Sequence, residues 1–217
     1  MKLYGAGASP FVRKVRVVLA EKGIEHEHDP ILPFNVSAEY KKISPLGKIP
    51  ALEDEGKALS DSSVICAYLE RKHPQPALYP SDPYEYGRAL WFEEYADSAL
   101  VGVIGAKIFF KKIIGPTFMN QPLDEAALQS AIEEDLPPLF DYLEGQLDGK
   151  EALVGERFSI ADIGVGSQFV NLRHAGVGVD AKRWPKLARY VAAVHARPSF
   201  KALIAEEAPT FARFATR

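Results

Sequence analysis

Over its first third the chain changes the spacing of its apolar positions several times. "KLYGAG" (2–7) is a short apolar run closed by small residues, the mark of a strand that ends early. "PFVRKVRVVLAEK" (10–22) puts Phe11, Val15, Val18 and Leu19 on one side and closes at Gly23, so its period predicts a helix despite the valines. "IEHEHDPI" alternates like a second strand, and strand, helix, strand in that order predicts parallel pairing through a right-handed crossover. "SAEYKKI" reads as a short helix or turn, and "IPALEDEGKALSDS" as two strands about a turn at Glu55-Gly56. "SSVICAYLERKH" returns to helical spacing, with Val64, Ile65, Tyr68 and Leu69 on the apolar side.

The pattern then breaks. "HPQPALYPSDP" has four prolines in eleven residues, too many for a helix or a central strand, and predicts a linker. From Tyr84 onward the spacing is helical. One long stretch runs to Ile114 and breaks at "GPTFMNQP", and a second runs from Leu123 to Leu147. A third starts at "SIADIGVGSQFVNLRH" and a last covers "WPKLARYVAAVHARPSFKALI". The expected organisation is an α/β domain over 1–75, a linker over 76–84 and an all-α domain over 85–217.

Composition narrows the function classes. At 47% hydrophobic and 25% charged residues, the 217-residue chain has the apolar material for a core, which argues against disorder. A net charge of -3 gives no reason to expect a nucleic-acid partner. The longest apolar stretch, "ALWFEEYADSALVGVIGAKIFFKKIIG", is interrupted by Glu93, Glu94, Asp97, Lys107, Lys111 and Lys112, so no membrane span is expected. The N-terminus has no apolar leader, and one cysteine, Cys66, excludes an intrachain disulfide framework; both fit a cytoplasmic protein.

Candidate chemistry sits at three junctions. Ser9, before Pro10 at the start of the first predicted helix, is in an N-cap position, and capping accounts for it by itself. A helix N-terminus also favours anions, and a hydroxyl there can donate to a thiolate and lower a thiol's pKa. Pro50 precedes a strand, where proline is tolerated as a first residue. If the Ile49-Pro50 bond is cis, the N–H and C=O of Ile49 turn outward to pair with a peptide ligand. Asp61 and Ser62 open another helix as cap residues, and such a helix end can also hold a carboxylate while the acid holds an ammonium. In that order they describe a groove for a short peptide bearing a thiol.

With "SPFVRKVRVVLAEKGI", "SPLGKIPAL", "LSDSSVICAYLERKHP", "ALVGERFSIADI" and "WPKLARYVAAVHARPSF" in this order, the chain resembles the cytosolic glutathione transferases over its whole length. The resemblance implies a thioredoxin-like N-terminal domain, an all-α C-terminal domain and a homodimer. It also implies glutathione as co-substrate, no further cofactor, and a small electrophile as second substrate. By that resemblance Ser9 activates the thiol, Ile49 before Pro50 pairs with the cysteinyl backbone, and Asp61 and Ser62 hold the γ-glutamyl head. Lys48 is either the partner of the glycyl carboxylate or a solvated lysine. "SPF" points to the serine-type branch, with Tyr4 as the reserve activator. The implied function is detoxifying conjugation. The alternatives are a glutathione-dependent isomerase, dehalogenase or ether-cleaving enzyme of the same fold, or a non-catalytic binding member.

The electrophile pocket draws on Phe34 in "ILPFNV" and on Ile104, Phe109 and Phe118, each equally explicable as core. Ser159-x-x-Asp162 is a capping-box variant assigned to folding. His26 and His28 share a strand face without a third ligand, so no metal is expected. Arg13, Lys14 and Arg16 read as the exposed face of the first helix.

Overall fold

Short strands and short connections build the first unit. The computed structural model describes residues 1–34 and 36–214, and the chain divides into two compact units, Met1–Pro80 and Ser81–Arg217. In the first, β1 (Lys2–Tyr4) is followed by α1 (Pro10–Glu21), β2 (Glu27–Asp29), α2 (Ala38–Ile43), β3 (Ala51–Asp54), β4 (Lys57–Ser60) and α3 (Ser62–Lys72). β1 pairs parallel with β2 and antiparallel with β3, and β3 pairs antiparallel with β4, giving the order β2-β1-β3-β4. The parallel start and the hairpin expected from the sequence are both present. Glu55 and Gly56 take φ of 51° and 75°, the left-handed pair a two-residue hairpin turn needs.

Alternation along the strands gives the sheet two faces. Leu3 lies opposite Leu52, and both are buried with Val15, Val18, Ile65 and Leu69 of the packed helices α1 and α3. Tyr4, opposite Ala51, points to the other face and meets Tyr40 of α2 edge-on at 6.0 Å. The proline-rich stretch after α3 is tied to this unit by one buried ion pair. Lys22 Nζ lies 2.7 Å from Glu70 and donates to the carbonyls of His73 and Pro76, while Glu70 accepts from the N–H groups of Leu78 and Tyr79.

The second unit is helical throughout. α4 (Pro83–Tyr95) is capped by Asp82, whose Oδ1 accepts from Tyr84 and Glu85 N–H at 3.0 and 2.9 Å. The helix continues through Ala96–Ile114 with i→i+5 hydrogen bonding into α5 (Gly115–Phe118). Buried Ala96, Leu100, Ile104, Ile108 and Ile113 recur every four or five residues, a longer repeat than 3.6, and the wider turn keeps them on one side. Next come α6 (Glu125–Ser130), a second i→i+5 segment (Ala131–Asp135), α7 (Leu136–Gln146), α8 (Ile160–His174), α9 (Pro185–Ala196) and α10 (Pro198–Phe211).

α8 is the axis of this unit, buried continuously from Ile160 to Leu172 and packed on α4 and the Ala96–Ile114 segment. A Cβ on Gly166 would come within 2.6 Å of Val194, so the missing side chain lets α9 approach. The last helical stretch, expected as one helix, is two. Arg197 takes φ -60° and ψ 141°, the extended backbone that Pro198 favours in the residue before it. Among the described residues no helix is long and apolar enough to cross a membrane.

Candidate functional site

The register of the sheet brings the three junctions together. Tyr4 pairs with Asp29 on one side and Ala51 on the other, and Ala51 pairs with Ser60. In that row β1 is leaving toward Ser9, β3 is arriving from Ile49-Pro50, and β4 is leaving toward Asp61-Ser62. Three segments far apart in sequence therefore emerge at one end of the sheet. Gly5, at φ 134°, closes the space between them. A Cβ there would stand 2.6 Å from Val12 and 2.9 Å from the Cβ of Ile49, so the absent side chain admits the first turn of α1 and Ile49 to the end of the strand. The only sequence signal for this role of Gly5 is a glycine directly after a strand.

Ser9 is the N-cap of α1. Val12 N–H donates to its Oγ at a long 3.5 Å and Arg13 N–H donates to its carbonyl at 2.9 Å. Among the described residues the Ser9 hydroxyl proton has no acceptor, so the group can still donate to a ligand. Arg13 and Lys14 correct the expectation of an exposed cationic face, since both are fully buried. Arg13 donates to the carbonyl of Ala8, next to Ser9, at 3.3 Å, and Lys14 Nζ donates to Ser63 Oγ at 3.0 Å. Arg13 thus braces the backbone just before α1 and Lys14 the Ser63 hydroxyl in the first turn of α3, and neither faces water.

The Ile49-Pro50 bond, left open by the sequence, is cis. Pro50 is buried, Ile49 half-buried and Lys48 exposed. The loop is held from beneath, where the carbonyl of Lys48 accepts from Tyr40 Oη at 2.8 Å and Ser44 Oγ at 2.7 Å. Among the described residues the N–H and C=O of Ile49 have no partner, which leaves a donor and an acceptor for an extended ligand. Asp61 is in a strained backbone conformation, φ 82° and ψ 131°, that L residues rarely adopt. Its Oδ1 caps α3, accepting from Ser63 and Val64 N–H at 2.9 and 3.2 Å, while Ser62 is buried beside it.

Tyr4 is engaged elsewhere. Its hydroxyl donates to Glu53, and that bond, together with burial, pushes the phenol up to about 12. A proton held by a carboxylate on the α2 face is poorly placed to stabilise a thiolate at the end of the sheet. His28 Nε2 donates to the carbonyl of Gly5 at 2.8 Å, which fixes its tautomer, and burial lowers the pKa of His26. No group of three metal-ligating side chains occurs among the described residues.

The four electrophile candidates are not alike. Phe34 is exposed in the first unit, next to Asn35, which lies outside the described residues. Phe118 is exposed at the end of α5, Ile104 is fully buried, and Phe109 rests on Phe211 with centroids 5.6 Å apart. Asp162 sits at the buried start of α8 and accepts from Leu153 N–H, Tyr190 Oη, Ser159 N–H and Ser159 Oγ, the folding role expected of it. Its burial raises its own pKa.

Comparison with known proteins gives a consistent picture. The family model "Glutathione S-transferase, N-terminal domain" matches residues 3–77, and "Glutathione S-transferase, C-terminal domain" matches residues 109–207. The uncharacterized GST-like protein YibF of Escherichia coli K12 is 34% identical over 204 residues, covering 92% of this chain and 96% of that one. Maleylacetoacetate isomerase of Pseudomonas aeruginosa is 28% identical over 221 residues, covering 93% and 94%. Among solved structures, the β-etherase LigF from Sphingobium sp. strain SYK-6 superimposes with a TM-score of 0.78 at 26% identity, covering 94% of this chain and 98% of that one.

Proposed function

The chain belongs to the glutathione S-transferase family, and from that premise we propose that it binds glutathione at this end of the sheet and transfers its thiolate to a small electrophile. The observation that carries the reading is the Asp29–Tyr4–Ala51–Ser60 row, beyond which Ser9, Ile49 and Asp61-Ser62 emerge side by side. In this reading the backbone of Ile49 pairs with the cysteinyl residue. Ser62 and the N-terminus of α3 receive the γ-glutamyl carboxylate, Asp61 its ammonium, and Lys48 the glycyl carboxylate.

Ser9 is the thiol activator. Its unspent O–H donates to the sulfur, and the positive end of α1 adds to that stabilisation. The thiol proton leaves to water. The sulfur lone pair forms the bond to an electrophilic carbon, and the electrons of the attacked bond shift onto the electrophile or its leaving group. That step needs glutathione as co-substrate and invokes no metal or redox cofactor. We take the electrophile to be apolar or aromatic, in keeping with the exposed Phe34 of the first unit.

A second reading, favoured by the likeness to an isomerase and a β-etherase, keeps the same thiolate but either returns it after isomerising the substrate or displaces an ether oxygen. Mass spectrometry of products separates them. A glutathione adduct marks conjugation, unchanged glutathione with rearranged substrate marks isomerisation, and an adduct with a released alcohol or phenol marks ether cleavage. If glutathione neither binds nor reacts, the chain is a non-catalytic member. A homodimer is part of the proposal, in keeping with Leu90 and Trp91, exposed neighbours on α4. A cytoplasmic detoxifying role fits the lone buried thiol, Cys66.

A further inference from the structure

Between β1 and α1 the chain reads Gly5-Ala6-Gly7-Ala8-Ser9, and no side chain before Ser9 is larger than a methyl group. Such a loop has no side chains of its own with which to hold its shape. The place of the Ser9 hydroxyl therefore depends on backbone hydrogen bonds and on donors brought from outside the loop. Inside it, Ser9 N–H donates to the carbonyl of Ala6 at 3.0 Å. Its far end runs into α1, where Arg13 donates to the carbonyl of Ala8. Its near end is Gly5, which is buried.

β2 holds that near end twice. Gly5 N–H donates to the carbonyl of Asp29 at 2.8 Å, and the carbonyl of Gly5 accepts from His28 Nε2 at 2.8 Å. The second contact follows from the register. His28 pairs with Leu3, so its side chain stands on the same side of the sheet as Leu3 and α1, where the imidazole reaches the peptide beyond Tyr4. Among the described residues no other group donates to the Gly5 carbonyl. Without His28 a buried acceptor is left unpaired, and the Gly5 peptide, free of any Cβ, can turn to find a donor. That turn carries Ala6 to Ser9 with it.

We propose that His28 is a positioning residue for thiol activation, holding the Gly5 peptide so that the Ser9 hydroxyl meets the sulfur of bound glutathione. The proposal rests on the reading of Ser9 as the activator and adds to it a residue that acts only through Ser9. What position 28 must supply is an N–H of the right reach. Glutamine offers one, whereas methionine has nearly the same length and offers none.

The test is ultraviolet thiolate absorbance against pH at saturating glutathione. It compares wild type, Ser9→Ala, His28→Met, His28→Gln and the double variant Ser9→Ala with His28→Met. His28→Met should raise the bound thiol's pKa by about half a unit to one unit, less than Ser9→Ala, because a displaced hydroxyl still donates part of the time. His28→Gln should stay close to wild type. The double variant should match Ser9→Ala, since two residues that act through one hydroxyl do not add. A wild-type titration of His28→Met beside a shifted Ser9→Ala would overturn the proposal. So would equal shifts in the Met and Gln variants, or shifts that add in the double variant. Absence of a bound thiolate in wild type, or no shift in Ser9→Ala, would remove the activator reading itself and the proposal with it.

Discussion

Replacing Ser9 by alanine removes one oxygen that has two functions, and the structure allows their magnitudes to be separated. As a cap, Oγ accepts from Val12 N–H at 3.5 Å, the long limit of a hydrogen bond. Its loss should therefore cost about 0.5 kcal/mol, the low end for N-caps, or about 1–2 °C in Tm for a chain of this size. As a donor to a bound thiolate the same hydroxyl contributes about 1.5–3 kcal/mol. At about 1.4 kcal/mol per pKa unit, the bound thiol should rise by about one to two units in Ser9→Ala. The N-terminus of α1 survives the substitution, so part of the depression should persist. The assay is ultraviolet thiolate absorbance against pH at saturating glutathione, with turnover of an aromatic electrophile measured in parallel. Below both pKa values turnover should fall by about ten- to a hundredfold, following the thiolate fraction, and it should recover toward wild type in alkali. Superimposable titrations of wild type and Ser9→Ala would refute the reasoning, all the more if Tyr4→Phe shifted the curve.

Tyr4→Phe is itself expected to leave the bound thiol's pKa unchanged and to lower stability by about 1 kcal/mol through loss of the bond to Glu53, read by denaturant melts. Asp61→Asn keeps an oxygen to cap α3 but loses the charge, so calorimetry should show weaker glutathione binding at nearly constant Tm; unchanged affinity would remove Asp61 from the site. Asp54 is held below its ordinary value of 3.8 by Lys72 first and by Tyr68. The stability it adds is therefore present above that value and lost as pH falls through the lower folded one, and Lys72→Met should flatten this acid limb in denaturation curves taken across it. Glu144 of α7 accepts from Lys186 and Leu187 N–H at the start of α9, where Trp184 offers no side-chain cap, so Glu144→Ala should cost about 1 kcal/mol in a thermal melt.

The strands, the hairpin turn and most helices were legible because each depends on local spacing. Glu55-Gly56 and the alternation around it specify the hairpin without help from distant residues. The site was legible only as three separate caps. That Ser9, Ile49 and Asp61 share one end of the sheet follows from the register of Tyr4, Ala51 and Ser60, a non-local fact that no window of sequence contains. Arg13 and Lys14 were misread because charge at helical spacing looks like a solvated face, whereas here the guanidinium reaches the carbonyl of Ala8 and the ammonium reaches Ser63. Glu144 was invisible as a cap because it reaches α9 across 42 residues of chain. The division at Arg197 was the opposite case, since Pro198 stood in the sequence and the helical pattern on both sides outweighed it.

The central claim is that Ser9, Ile49 and Ser62 belong to one glutathione site, and a backbone amide NMR titration with glutathione tests it most directly. The expected result is that the amides of Ser9, Ile49, Ser62 and Ser63 shift together and saturate with a single dissociation constant. Shifts confined to one of the three segments, or segments saturating with different constants, would contradict it.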